Sequence, residues 1–420
     1  MRQTTGPTTG LFATLALAAA VPARADVPGG GPEQFLDGRF KARIAAGVDG
    51  ADDVRRASAN AGVTLRSELG WESGSWGGVT AHVAYDDLYA RAQRYETGGG
   101  MTGPQAGTRL GLPQLPRAAG VANLAWRNGG TQVVVGRQRL ALAGERYVGV
   151  VGWRPGEQTY DGVRLSRQLS SNAQFSYAFV AGINVPERAD RGQPALRQRG
   201  NFHLFDGTLD AGRLGRLTGF AYRLSFDERR PAPGVATAPA VDPGATWGVE
   251  WKQELKLGPR RPLPLALSYA TASRDDAARG PYAARYLQLD AGLFVPGTRL
   301  KVGRGTLERD PARAGLDPRS TPLAQWYAAD GWAGRFGMGG VPSLEDTWAL
   351  LSTRVAGTTV EVGRHDYRGA ADGRGDGEEW NTTLSRRLAR WIQVQARYAD
   401  RRGGPGDDRQ YWFQFAAPWR

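Results

Sequence analysis

Apolar and polar residues alternate along most of the chain, in segments of about ten residues of the kind that a half-buried strand requires. In the first, Phe40, Ala42, Ile44, Ala46 and Val48 are interleaved with Arg39, Lys41, Arg43, Ala45, Gly47 and Asp49. The second opposes Val63, Leu65, Leu69 and Trp71 to Thr64, Arg66, Glu68 and Glu72, and the third opposes Val79, Ala81, Val83 and Tyr85 to Thr80, His82 and Asp86. Successive side chains of a strand point to opposite faces, so each segment predicts one apolar and one polar face. Period two alone fits a water-soluble sandwich as well as a membrane barrel.

Three features favour the barrel. Aromatics close the apolar faces of the segments at Trp71, Tyr85, Trp126, Trp247, Trp380 and Tyr411, where membrane-interface girdles belong. The polar faces are charged, as where Glu250, Lys252, Glu254 and Lys256 alternate with Trp247, Val249, Trp251 and Leu255. The segments also follow one another without a domain-like linker.

The rhythm predicts eighteen strands, near 39–49, 62–72, 77–88, 118–127, 131–139, 158–168, 173–183, 201–209, 217–226, 245–257, 264–272, 283–294, 298–307, 346–355, 358–368, 378–386, 391–400 and 409–417. Sixteen stays open, because the alternation blurs in the eighth, fourteenth and fifteenth. Connections after even-numbered segments are short, such as 73–76, 128–130, 296–297 and 356–357. Most after odd-numbered ones are long: 89–117, 140–157, 184–200, 227–244, 308–345 and 369–377. The expected fold is therefore an all-β transmembrane antiparallel barrel over residues 39–420, with short periplasmic turns and long extracellular loops.

Residues 1–25 have the parts of a secretory signal: Arg2, an apolar stretch from Leu11 to Val21, and Ala23-Arg24-Ala25 before Asp26. Residues 26–38 then form a short periplasmic segment ahead of the barrel. No other stretch is apolar enough for a spanning helix, so the expected location is the outer membrane of a Gram-negative cell. The chain has no cysteine, which removes disulfides, thiolate metal sites and a cysteine nucleophile together.

Formal charge is +13, and nearly all basic residues are arginine, the lysines being Lys41, Lys252, Lys256 and Lys301. In an exported barrel this points away from nucleic acid and toward outer-membrane lipid and lipopolysaccharide phosphates, or anionic or sugar solutes crossing a charged pore. The barrel assembly machinery is the other expected partner. The three histidines, His82, His203 and His365, lie in no nucleophile motif, so an enzyme such as a lipid hydrolase is the weaker reading, as is a plugged surface receptor. The acidic run Asp366, Asp372, Asp376, Glu378 and Glu379 matches no defined Ca²⁺ loop, and neither a metal nor a cofactor is expected.

Several stretches resemble the alginate export family of outer-membrane barrels: Phe40-Lys41-Ala42-Arg43, Gly136-Arg137-Gln138-Arg139, Arg146-Tyr147-Val148-Gly149, Val151-Gly152-Trp153-Arg154, Glu157-Gln158-Thr159-Tyr160-Asp161 and Val163-Arg164-Leu165. Further matches are Thr321-Pro322-Leu323-Ala324, Asp330-Gly331-Trp332-Ala333, His365-Asp366-Tyr367 and Tyr398-Ala399-Asp400. The resemblance implies a monomeric eighteen-stranded barrel with an arginine-rich constriction for anionic sugar units. Two departures matter: the chain ends Phe415-Ala416-Ala417-Pro418-Trp419-Arg420 rather than on the aromatic that assembly machinery reads, although the alternation of Tyr411, Phe413 and Phe415 keeps assembly expected, and the chain is short for a dedicated polymer exporter, mostly through shorter loops than that family's, which counts against alginate export. The expected function is therefore a porin-like channel for passive diffusion of small anionic or sugar-like solutes. Secretion of an anionic exopolysaccharide such as alginate, with periplasmic export partners, is the alternative.

Candidate pore-lining residues are the basic ones on polar faces or beside the family-like motif: Lys41, Arg43, Arg66, Arg127, Arg137, Arg139, Arg164, Arg223, Lys252, Arg299 and Lys301, with Asp161 among the carboxylates that temper them. Arg137, Arg139 and Arg164 rank first. Loop 308–345, carrying Trp326, Tyr327, Trp332 and Phe336, is aromatic enough to pack over the mouth and is the candidate gate.

Overall fold

The computed structural model describes residues 33–419 except 54–57, 93–119, 151–156, 186–195, 228–242, 257–261, 277–279, 296, 310–342, 370–376 and 404–406. A helical turn, α1 (Glu33–Leu36), precedes eighteen strands. In chain order these are β1 (Arg39–Asp53), β2 (Ser58–Glu72), β3 (Val79–Ala92), β4 (Val121–Asn128), β5 (Thr131–Gln138), β6 (Thr159–Ser170), β7 (Ala173–Val185), β8 (Leu196–Asp210) and β9 (Arg216–Phe226). Then follow β10 (Gly244–Lys256), β11 (Pro262–Asp276), β12 (Gly280–Val295), β13 (Thr298–Arg309), β14 (Ser343–Val355), β15 (Thr358–Gly369), β16 (Gly377–Ala389), β17 (Ile392–Gly403) and β18 (Asp408–Trp419).

Each strand pairs antiparallel with its sequence neighbours, and β1 also pairs with β18, Ala42 facing Trp419 and Asp53 facing Asp408. The sheet therefore has no edge. In hydrocarbon an unpaired backbone N–H or C=O costs several kcal/mol, so closure is what allows strands to span a bilayer at all. The eighteen-strand expectation holds, including the eighth, fourteenth and fifteenth segments.

Register fixes which side chains meet lipid. Cross-strand partners share a face, and the outward rows are apolar: Phe40 beside Trp71, Leu69 beside Tyr85, Leu267 beside Leu289, Leu300 beside Leu351. Trp126, Trp247 and Trp380 are exposed on this outer surface. Two-residue turns need left-handed backbone, and at one rim Gly129 and Gly130 supply it with φ of 52° and 80°. At the same rim Phe35 of α1 meets the edge of Trp71, their ring centroids 6.4 Å apart, and the carbonyl of Phe35 accepts the Gly74 N–H at 3.1 Å.

Buried apolar packing lies inside the wall. Leu140, Leu142, Tyr147 and Val148, which follow β5, contact inward residues of β6 to β9 such as Tyr160, Ile183, Phe202, Leu204 and Phe220. A barrel this wide cannot fill itself with wall side chains alone. The chain fills part of the lumen with its own connection instead.

Gly136, where β5 prepares to leave the wall, has φ of 116°, and a Cβ there would lie 2.4 Å from the Ala122 carbonyl oxygen. Gly136→Val combines backbone strain with a clash and is expected to lower unfolding stability by about 2 kcal/mol. The urea midpoint of the refolded barrel in vesicles measures it; an unchanged midpoint would show that the wall yields there.

Candidate functional site: an inward segment and its arginine latch

Beyond β5 the chain turns into the lumen rather than rising as a surface loop. Leu142 and Val148 form a short bridge, the Leu142 N–H donating to the Val148 carbonyl at 3.0 Å. Between them Ala143, Gly144 and Glu145 take φ of 42°, 70° and 63°. Two of these are not glycine, a cost of order 1 kcal/mol or more each that surrounding contacts must offset. The Glu145 carboxylate accepts the Val150 N–H at 3.0 Å, and the Tyr160 hydroxyl donates to the Gly149 carbonyl at 2.7 Å. Tyr147 packs on Phe220 with ring centroids 5.4 Å apart.

Charged contacts hold both ends. At one end Arg146 lies 4.2 Å above the ring of Tyr286 on β12 and donates to Gln288. At the other, Glu157 returns to the wall between β1 and β2. Its carboxylate accepts from Arg66 at 3.1 Å, meets Arg43 at 3.5 Å and pairs with Arg139. Glu68 joins the same group, 3.2 Å from Arg139 and 3.5 Å from Arg66. The segment thus bridges the wall at β1 and β2 to the wall at β12. Three guanidiniums against two carboxylates leave the latch with a net positive charge.

Glu157 lies outside the spanning strands, and its side chain is 4% exposed. Burial opposes its ionisation, but the guanidiniums of Arg66 and Arg139, with Arg43 beside them, outweigh that and hold the carboxyl at about 2. Its charge therefore persists through the pH range in which ordinary carboxylates titrate.

The remaining sequence candidates divide by face. Lys41, Arg43, Arg66, Arg127, Arg164, Lys252, Arg299 and Lys301 share the inward parity of their strands. Lys41 pairs with Glu72 and Lys252 with Glu250; Arg164 donates to Ser176 at 3.1 Å; Arg299 lies 4.9 Å above the ring of Phe294. On the wall formed by β14 and β15, His365 contacts Asp346 at 2.9 Å and stacks on Tyr367 at 5.7 Å.

Arg137, Asp161 and Arg223 require correction: they face outward. Arg137 continues the outward row of Val133 and Val135, and its register partner is Asp161, to which it donates at 2.6 Å. Arg223 follows Leu217 and Ala221 on the outward row of β9. Charge suggested the pore, whereas parity puts these residues on the outer surface. A lipid-facing arginine costs about 2–4 kcal/mol at the bilayer midplane but only about 0–1 kcal/mol near an interface. Arg137 and Arg223 sit toward the long-loop end of their strands, where that cost is small.

The proposed gate, with Trp326, Tyr327, Trp332 and Phe336, falls in 310–342 and lies outside the described residues, as does the signal-like stretch within 1–32. The described residues that turn into the lumen are instead 139–150 and 157–158, where charge and motif by themselves point to the arginines. Their signal was available: Leu140, Leu142, Tyr147, Val148 and Val150 are too apolar for a solvated loop.

No protein-family model matches the chain, and no curated protein matches it. Solved structures do align with the fold. OccAB4 of Acinetobacter baumannii superposes with a TM-score of 0.62 at 14% identity, covering 93% of this chain and 100% of that one. A BenF-like porin from Pseudomonas fluorescens Pf-5 gives 0.63 at 14%, covering 92% and 99%. OpdL of Pseudomonas aeruginosa gives 0.62 at 15%, covering 91% and 99%. The fold is thus that of an outer-membrane porin barrel, shared at identities too low to carry solute or selectivity. These structural relatives overturn the resemblance to the alginate export family. The polymer-secretion reading rested on that resemblance and falls with it.

Glu157→Gln removes the anion that three arginines share. Breaking a buried pair on one side costs about 3 kcal/mol, so the segment is expected to detach from β1 and β2. Single-channel recordings should show a larger, noisier current; an unaltered trace would show that Glu157 does not fix the segment. In the unsubstituted protein the lowered pKa of Glu157 means that this stabilisation is fully present above the ordinary carboxylate range, near pH 4.5, and is lost as pH falls toward about 2. The quiet current level should therefore persist from pH 8 to pH 5 and give way only in stronger acid.

Proposed function

We propose that the protein is an outer-membrane channel for passive diffusion of small anionic or sugar-like solutes. The observation that carries this reading is the cluster of Arg43, Arg66 and Arg139 around Glu157 and Glu68, placed where an inward segment narrows the lumen. Fixed charge in a narrow, low-dielectric passage acts on a permeating ion far more strongly than charge at a wide mouth. The carboxylates temper the cluster, so its preference for anions is moderate.

Support for sugar-like solutes comes from the wall at β14 and β15. Trp348, His365 and Tyr367 lie on the inward face and stack in sequence, with centroids 6.4 Å and 5.7 Å apart, Tyr367 being buried and backing the half-buried rings of Trp348 and His365. Planar rings on one wall and guanidiniums on another suit a solute with an apolar sugar face and a carboxylate. The alignment with a BenF-like porin and with the Occ and Opd barrels agrees with a diffusive channel.

Planar-bilayer recording of the refolded chain in a salt gradient tests the proposal. The reversal potential should report anion preference, and an absence of current would refute the channel. Arg139→Gln should move the permeability ratio toward cations, whereas Arg223→Gln, on the outer surface, should leave it unchanged. Equal shifts from both would sink the assignment of selectivity to the latch.

A further inference from the structure

The arginines that parity turns outward need a partner outside the barrel. On β13 to β18 four outward arginines have carboxylates: Arg304 with Glu345 at 2.8 Å, Arg364 with Asp366 at 2.7 Å and Glu378 at 3.1 Å, and Arg402 and Arg409 with Asp400 at 3.0 and 3.8 Å; Arg368 and Arg386, on the same face, have none among the described residues. That side of the belt balances most of its own charge, and its two unbalanced arginines lie on separate strands. On β5 to β9 the balance fails. Arg137 and Arg197 share the single carboxylate of Asp161, at 2.6 and 2.8 Å, while Arg199 and Arg223 have no carboxylate partner among the described residues.

Height and surroundings narrow what could neutralise this patch. Arg223 faces His203 across the strand pair, and the outward residue of β10 one step closer to the short turns is Trp247. Tyr177 packs tilted against Phe205, centroids 4.6 Å apart, and hydrogen-bonds His203 at 2.9 Å, forming an aromatic shelf on the same face. Aromatic rows of this kind mark the boundary between hydrocarbon and headgroups. The unbalanced arginines stand at or above that boundary, on the side of the long loops, with Arg197 48% exposed. The anions at that level on the outer side of a barrel are headgroup phosphates.

We propose that the outward face of β5 to β9, through Arg197, Arg199 and Arg223 with Arg137 held beside them by Asp161, binds the phosphates of an outer-leaflet glycolipid of the lipid A class. Guanidinium groups recognise phosphate oxygens with paired N–H donors, and the shelf of Tyr177, Phe205 and Trp247 receives the upper acyl chains. Lipid held on this outer face makes no demand on which solute the lumen passes.

Native mass spectrometry of the full chain in detergent, titrated with bisphosphorylated lipid A, tests it. The combined variant Arg197→Gln, Arg199→Gln and Arg223→Gln is expected to bind on the order of a hundredfold more weakly, from the ordinary contribution of each basic residue to anionic lipid binding. Lipid A stripped of phosphate should bind the unsubstituted protein equally weakly. Arg304→Gln with Arg409→Gln, which removes charge from the balanced side, should retain binding, and heat-modifiable mobility on gels reports folding of each variant. Unchanged affinity in the combined variant overturns the proposal. So does equal affinity for phosphatidylglycerol, which would mean generic anion attraction, or displacement by millimolar inorganic phosphate, which would mean a small-anion site. If the combined variant does not fold, Arg199→Gln and Arg223→Gln are measured singly, each with an expected loss of about fivefold, and no loss in either overturns it.

Discussion

A chain that crosses hydrocarbon as strands must leave no backbone group unpaired, and the pairing of β1 with β18 meets that demand. Everything else in this structure follows from closure. Once the sheet has no edge, each strand has one face to lipid and one to the lumen, and register carries that division from strand to strand. A single residue of slip would turn Arg43 and Arg66 to the membrane and Leu65 and Leu69 to the pore.

Within the closed wall, the lumen is shaped by a competition between two ways of satisfying the 139–158 connection. As a surface loop it would expose Leu140, Leu142, Tyr147 and Val148 to water; folded inward, it buries them on β6 to β9. The inward choice takes Arg139 and Glu157 out of bulk solvent. Pairing with Arg43, Arg66 and Glu68 makes that tolerable, so the charges that tune the passage are also those that hold the constriction in place. Apolar burial supplies the driving force, and the ion cluster supplies position.

The outer surface obeys a different rule. Its arginines are acceptable only where the bilayer gives way to headgroups, and most on β13 to β18 carry their own counter-charges. The imbalance on β5 to β9 is a local departure from that pattern, and it is why a lipid partner fits there rather than all round the belt.

Strand number, closure and the direction of the loops were legible in the sequence, because period two is a local property and the alternation of short and long gaps survives errors of a few residues at each end. Arg43 and Arg66 were legible for the same reason, lying on clean alternating faces. For Arg137 and Asp161 the face is not legible by counting, because the positive φ of Gly136 and the irregular pairing at Asp161 and Gly162 blur parity, whereas Arg223 lies on a regular strand whose parity outweighs its charge. No local pattern could show that Glu157 meets Arg66, a residue 91 positions earlier, or that Arg146 reaches Tyr286 and Gln288 on β12. Those contacts exist only after the wall has closed and set the distance between its sides. The sequence by itself determined a barrel with a polar interior; tertiary structure decided which connection narrows it, which arginines face the passage, and which are left to the membrane.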